Sequence, residues 1–375
     1  MRHNFRHIDT EISQIKKDNL YRKFRYGKIH RSKITIKNKE LLNLCSNDYL
    51  GIKSQNISLG QIQSSSRLVS GNDSIFFELE KKLAKHKSKS SALIYPTGYM
   101  ANIGIISTLI KNDSIILSDE FNHASIIEAC KLSGVKTIVY RHNDMNDLKS
   151  KLKTKAKNKF VITEGIFSMD GDFSNLKQVS EICKSEDASI ILDDAHGDFV
   201  IGEDGKGTGK YFNIQKEIDV YISSLSKGLG SFGGYVASHN KIIEYCINKS
   251  KSFIYTSALP SILVQHALNQ FESNREKQRK KLDKNKKLIQ NGLKQSGYNI
   301  KSKTHIIPIV LGDEKTTLGF SKYLYDKGLF VQAIRYPTVP RNQARVRLSV
   351  TALLSVSEIH KALSIFDTAA KKFKI

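Results

Sequence analysis

The chain has 375 residues, 39% of them apolar, and a formal net charge of +24. That length exceeds one small core, and the apolar share excludes a disordered chain. No uninterrupted apolar run is long enough to span a bilayer, so no membrane association is expected. The start, "MRHNFRHIDTEISQIKKDN", lacks the apolar core of a signal peptide. Cys45, Cys130, Cys183 and Cys246 lie far apart with no CxxC spacing. They suit a reducing compartment and give no metal or disulfide signature, so the expected location is cytoplasmic. A charge of this size raises nucleic acid as a partner. The lysines, however, are spread over segments such as "KLKTKAKNKF" and "REKQRKKLDKNKK" without interleaved aromatics. They read as solvated helix faces, and no nucleic-acid partner is expected. The positive field would still steer anionic small molecules or an acidic protein.

In chain order, residues 1–45 read as a polar helix followed by a hairpin-like "KITIKNKELLNL". From Ser91 to Ser238 short apolar runs recur: "ALIY", "SIILS", "KTIVY", "KFVITEG", "ASIILDD", "DVYISS" and "GYVAS". Helix-period stretches such as "MANIGIISTLIK", "ASIIEACKLSG" and "NLKQVSEICKSED" lie between them. Alternation of this kind predicts an α/β domain over 46–274 with a mostly parallel seven-stranded sheet. Only a Gly-rich turn separates the last two runs, so they are expected to be antiparallel. A long helical stretch is expected over roughly Ser261 to Gln295. Beyond it, "HIIPIVLG", "LFVQAIR" and "ARVRLSV" read as strands interleaved with two helices, a smaller α+β domain over 275–375.

In an open parallel sheet, ligands bind beyond the carboxyl ends of the strands. Gly98 in "PTGYMAN" is at a helix start, where backbone N–H groups favour an anion. His123 in "FNHAS" and Ser168 in "IFSMDGD" also lie past strands, although helix capping and turn chemistry explain each equally well. "SIILDDAHG" is sharper, because a buried strand ends in Asp193, Asp194 and His196. Alternation puts the two carboxylates on opposite faces, so only one can face a cleft. Metal ligation lacks a matching HxH, HExxH or cysteine partner, and no metal is expected. In "SLSKGLGSFGG", Lys227 sits where small buried residues are otherwise used. Burial lowers a lysine's pKa and makes the amine a nucleophile. A lysine, an anion-binding turn and a strand-end aspartate together are the parts of a pyridoxal 5'-phosphate (PLP) site.

The ordered set "LCSNDYLG", "SSSRLVSGN", "FNHASII", "TEGIFSMDGD", "LDDAHG", "SLSKGLGSFGGY", "FIYTSALP", "AIRYPTVP" and "ARVRLSVTA" resembles the α-oxoamine synthases. The similarity runs from about Leu20 to the C-terminus. It implies the PLP-dependent transferase fold type I and a homodimer with the active site at the subunit boundary. "TEGIFSMDGD" and "AIRYPTVP" are most similar to the branch that condenses L-alanine with a pimeloyl thioester, carried by CoA or an acyl carrier protein. The sister branch uses glycine and a short acyl-CoA.

By the same resemblance Lys227 matches the cofactor lysine, Asp193 the partner of the pyridine nitrogen and His123 the imidazole stacked on the ring. His196, with Ser168 beside it, matches the group bonding the phenolic oxygen. Gly98, Tyr99 and Ser224 match the phosphate cradle, and Arg347 the grip on the amino-acid carboxylate. Arg22, Thr338 and Asn47 fall where the family contacts the acyl substrate. Three departures stand out. "IKSQNISLGQIQSSS" is shorter than usual, which implies a trimmed helix and a changed acyl channel or dimer contact. Leu354 replaces a frequent histidine, and Tyr336 a common proline.

Overall fold

The computed structural model describes residues 3–53, 57 and 65–375. The trimmed helix expected in "IKSQNISLGQIQSSS" lies largely outside the described residues. Two compact units form, one from residues 47–168 and 172–280, the other from 1–46, 169–171 and 281–375. Residues 1–45, read from the sequence as a separate segment, thus group with the C-terminal residues. Main-chain pairing explains this, since strand Lys39–Asn43 runs parallel to Leu329–Phe330. Its other edge pairs in a hairpin with Lys33–Ile36.

The larger unit holds a seven-stranded sheet. Its spatial order is Ser91–Tyr95, Gly234–Ser238, Val220–Ser224, Ala188–Asp193, Asn158–Glu164, Ser114–Asp119, Lys136–Tyr140. All pairs from Val220–Ser224 to Lys136–Tyr140 are parallel. Gly234–Ser238 is antiparallel to both of its neighbours, as the short turn before it requires. Successive side chains feed two cores, one on each face. Ile190 and Leu192 join Phe76, Leu79 and Leu268 on one face, whereas Ile191 joins Ala101, Ile105 and Ile126 on the other.

The strand-to-helix turns are closed by side-chain caps. Thr97 accepts from Met100 N at 3.1 Å to start helix Gly98–Leu109. His123 accepts from Ser125 N to start Ala124–Ser133, which Gly134 ends in the left-handed conformation at φ 69°.

Two expectations need correction. The long helical stretch over Ser261–Gln295 is not continuous but two helices, Ser261–Glu272 and Glu276–Gln295. Ser273 is extended, Arg275 Nη1 donates to the carbonyls of Gln270 and Phe271, and Asn274 Oδ1 accepts Glu276 N to begin the second helix. "LFVQAIR" is not one strand either. Leu329–Phe330 joins the sheet of the N-terminal hairpin, and Ala333–Ile334 joins a three-stranded sheet with Ala344–Ser349 and Ile306–Gly312. Between them the Val331 carbonyl is taken by Ser321 Oγ and the Gln332 N–H by Cys45 Sγ, so neither can continue a ladder. Among the described residues no helix is long and apolar enough to cross a membrane.

Under the end of strand Ala188–Asp193 lies a fully buried lysine that sequence reading passed over. Lys87 Nζ is 2.6 Å from Asp198 Oδ1 and 3.1 Å from Asp194 Oδ2, and it donates to the Lys206 carbonyl at 3.0 Å. Burial works against the ammonium, but Asp198 and Asp194 hold its pKa above the ordinary value. His86 Nε2 and Tyr235 Oη complete the shell of Asp198. Removing one member of such a set leaves unpaired charge in the core. Lys87→Met is therefore expected to lower the unfolding free energy by about 3–5 kcal/mol, read from urea denaturation. A loss below about 1 kcal/mol would mean that water reaches the two carboxylates.

Candidate active site

Strand ends of the larger unit converge on a cavity of about 260 Å³. Its wall contains Gly98, Tyr99, His123, Asp193, His196, Ser224 and Lys227, all named from the sequence. It also contains Asn102, Ser125 and Glu164, which were not. A larger groove of about 1100 Å³ lies by helix Ser74–His86 and holds none of the expected residues. Chemistry, not size, marks the smaller one.

Lys227 sits in the turn between strands Val220–Ser224 and Gly234–Ser238. That turn is closed by Leu225 N to Gly233 O at 2.9 Å and Gly230 N to Lys227 O at 3.1 Å. Gly230 and Gly233 have φ of 72° and 113°, a region side chains avoid. The glycines shape the turn, and the turn aims the lysine. Lys227 Nζ is 3.1 Å from His196 Nε2, and His196 Nδ1 is 2.7 Å from the hydroxyl of fully buried Tyr49. Tyr49 Oη in turn donates to Asn47 Oδ1 at 3.2 Å, which connects Asn47 to this set. If the tyrosine proton is on Asn47, His196 carries its proton on Nδ1 and accepts at Nε2 from the lysine.

Asp193 and Asp194 part as strand alternation requires. Asp194 turns to Lys87 and to Thr208 Oγ1, 2.7 Å away, on one face. Asp193 lines the cavity on the other, where Asn102 Nδ2 donates to it at 2.7 Å and Ala195 N at 3.0 Å. Among the described residues no cationic side chain pairs with Asp193 within salt-bridge distance, so its buried carboxylate takes only these two neutral donors. Glu164, 3% exposed, is on the adjacent strand end. Burial, and then the nearby Asp193, raise its pKa well above the ordinary value. His123 accepts Ser125 N at Nδ1. Burial lowers its pKa more than Asp193 raises it, so the ring is neutral with its proton on Nε2.

These groups fit PLP. The first-turn N–H groups at Gly98 and Tyr99 suit a phosphate, and Asp193 suits a protonated ring nitrogen. Asn102 Oδ1 and Glu164 Oε1 are buried in the wall without a hydrogen-bond partner among the described residues. Backbones also approach closely here, since a Cβ on Gly234 would lie 2.4 Å from Gly98 N.

The other expected residues lie elsewhere. Ser168 is buried but not in the cavity wall. Arg347, Arg22 and Thr338 belong to the smaller unit. Arg347 is 8% exposed on strand Ala344–Ser349 and donates to Ser349 Oγ at 2.6 Å. Beside it burial, then Arg347, push the His305 pKa down to about 3. Arg22 Nη2 donates to Thr338 Oγ1 at 3.3 Å, joining two residues named separately from the sequence. Of the departures, Leu354 is fully buried and Tyr336 is exposed against the Arg341 guanidinium, 4.7 Å from the ring centroid.

Residues 39–366 match the family model "Aminotransferase class I and II". An 8-amino-7-oxononanoate synthase of Thermoanaerobacter pseudethanolicus is 36% identical over 100% of this chain and 99% of its own. The chain belongs to the α-oxoamine synthase family of PLP enzymes. Among solved structures, a serine palmitoyltransferase from S. paucimobilis with PLP–myriocin bound superposes at TM-score 0.92. It is 25% identical, with 99% of this chain and 98% of that one covered. The 8-amino-7-oxononanoate synthase of Francisella tularensis superposes at 0.74, with 26% identity over 89% of this chain and 99% of that one. The fold of this α-oxoamine synthase is therefore PLP-dependent fold type I, and its cofactor is PLP.

Sequence reading missed Asn102, Glu164 and Tyr49. Glu164 ends an apolar strand and Asn102 is four residues past Gly98, signals of the same kind that pointed to Asp193. In this α-oxoamine synthase Gly234→Ala is expected to push the two backbones apart at Gly98, at a cost of about 1–3 kcal/mol in urea unfolding. PLP uptake, followed by absorbance, should weaken in parallel. Wild-type stability in that variant would show that the turn can yield.

Proposed function

We propose that this chain is an 8-amino-7-oxononanoate synthase, joining L-alanine to a pimeloyl thioester with release of CO₂ and the thiol. The single observation carrying this reading is the placement of Lys227, His196 and Asp193 in the wall of one small cavity, in a chain 36% identical to a relative of that name. Bound PLP supplies an electron sink for the carbanion formed at the alanine Cα.

The chain's own groups do the rest. Gly98 and Tyr99 N–H, with Ser224 Oγ, hold the phosphate against a helix N-terminus. Asp193 keeps a proton on the pyridine nitrogen, and its two neutral donors leave it that charge to balance. Lys227, as a neutral amine, takes the Cα proton, and the contact of Nζ with His196 Nε2 gives that proton a neighbour to share it. When PLP is bound, His196 would turn a ring nitrogen to its phenolic oxygen, with Ser168 as a further candidate donor, and neutral His123 would be placed to stack on its ring. The raised pKa of Glu164 disfavours a second negative charge next to Asp193. Arg347 takes the alanine carboxylate, whose planar fork geometry matches a guanidinium. Arg22, Thr338 and Asn47 meet the acyl donor. A homodimer belongs to this reading, and the exposed apolar side chains of Leu68, Val69, Phe77 and Tyr255 support a second copy as partner.

The test is the visible absorption spectrum with PLP, alone and with L-alanine or glycine, next to a product assay with pimeloyl-CoA. The expected outcome is a cofactor band that responds to L-alanine more than to glycine. Lys227→Ala should lower turnover by about a hundredfold to ten-thousandfold, the range for a lost general base. A stronger response to glycine with a short acyl-CoA would replace this reading by the sister activity. A protein that takes up no PLP would remove both.

A further inference from the structure

The strands Ser114–Asp119, Lys136–Tyr140 and Asn158–Glu164 are neighbours in the sheet, and their carboxyl ends lead to Phe121–His123, to His142 and to Asp172 in turn. His142 sits where the three loops meet. Its Nδ1 is 2.8 Å from Asp119 Oδ1 and its Nε2 is 2.8 Å from Asp172 Oδ2. Two ring nitrogens facing two carboxylates must both carry protons, so the ring is an imidazolium. Burial pulls its pKa down, but the bonds to Asp119 and Asp172 outweigh that and carry it up to about 10.

The ring is also held on its faces. Phe121 stacks on it at 4.3 Å between centroids and 20° between planes, and Phe167 meets it edge-on at 4.4 Å. Asp119 ties the ring to the loop beyond its own strand, because Oδ1 also accepts Phe121 N at 2.9 Å. Asn122 locks the next position by donating to the Ile162 carbonyl at 2.8 Å. His123 follows directly, at the cavity wall. The next residue after His142 reinforces the joint, as Asn143 Nδ2 donates to Asp172 Oδ2 at 2.9 Å and to the Phe173 carbonyl at 3.0 Å.

We infer that His142 is a positioning residue for the cofactor site: through Asp119 and Phe121 it fixes the loop that presents His123. It is not in the cavity wall, and nothing in the reaction requires it to exchange a proton. The inference rests on the reading of the cavity as a PLP site. A charged ring between two carboxylates and two aromatic rings is a stiff joint, and stiffness in this loop is what a stacking imidazole needs.

The experiment compares PLP dissociation constants, from cofactor absorbance, for wild type, His142→Ala and Asp172→Asn, with Lys87→Met as a destabilised control. Lys87 is buried on the other face of the sheet, away from the His123 loop. In His142→Ala the dissociation constant is expected to rise about tenfold to hundredfold, the scale of a displaced binding group. Added imidazole, which fits the gap between Phe121 and Phe167, should restore most of the loss. Asp172→Asn keeps the ring and should show a smaller rise. Lys87→Met should lose stability and keep its affinity. An unchanged constant in folded His142→Ala overturns the inference. If that variant does not fold, an unchanged constant in Asp172→Asn overturns it. So does an affinity loss in Lys87→Met as large as that of His142→Ala, because the effect would then follow stability alone. Wild type that takes up no PLP defeats the cofactor reading first, and this inference with it.

Discussion

The charge pairing of Lys87 with Asp194 and Asp198 is the constraint on which the core beneath the central strand depends. Two adjacent aspartates end the central strand, and an uncompensated pair of buried carboxylates at that point would be prohibitive. Lys87 takes one of them, together with Asp198, on the face packed by helix Ser74–His86. Asp193 lines the cavity on the opposite face, next to Glu164. Although burial opposes it, Lys87 and then His86 hold Asp198 well below the ordinary carboxylate range. One face thus holds a paired charge cluster, and the other holds the cavity.

Close backbone packing is the second constraint. Gly234 on one strand and Gly98 at the start of a helix approach so nearly that neither strand nor helix could shift without moving the other. Lys227 hangs from the turn that leads into Gly234. The turn at Gly98 and the turn that carries Lys227 are therefore held together by close packing of two glycines. Rigidity of this kind supports a site whose parts come from five separate strand ends.

Much of this was legible in the sequence because the sheet is parallel and buried. Fully apolar strands bounded by helix-period segments leave few arrangements, and each strand end then announces its own polar residues. Alternation put Asp193 and Asp194 on opposite faces, and the family resemblance singled out Asp193 for the cavity. What escaped were partners distant in sequence. Lys87 looks like any surface lysine at the end of a lysine-rich helix, and only the fold places it beside Asp194, 107 residues on. Tyr49 and His142 were hidden for the same reason. Main-chain breaks escaped too, because "ESN" after Phe271 carries no glycine or proline, and the break is made by Arg275 reaching back to two carbonyls. "LFVQAIR" kept an unbroken apolar pattern while its two halves joined different sheets.

The order in which the chain is made bears on the smaller unit. Its hairpin, Lys33–Ile36 with Lys39–Asn43, waits for Leu329–Phe330, and Ser32 Oγ meets Glu358 only at the start of the last helix. During synthesis the larger unit can be complete on the ribosome while these first strands still lack their partners. An early strand with an unpaired edge is a site for wrong pairing. The hairpin carries Lys33, Lys37 and Lys39, charges that discourage such pairing until the tail arrives. Lysines at such an edge thus suit a strand that must wait for a late partner.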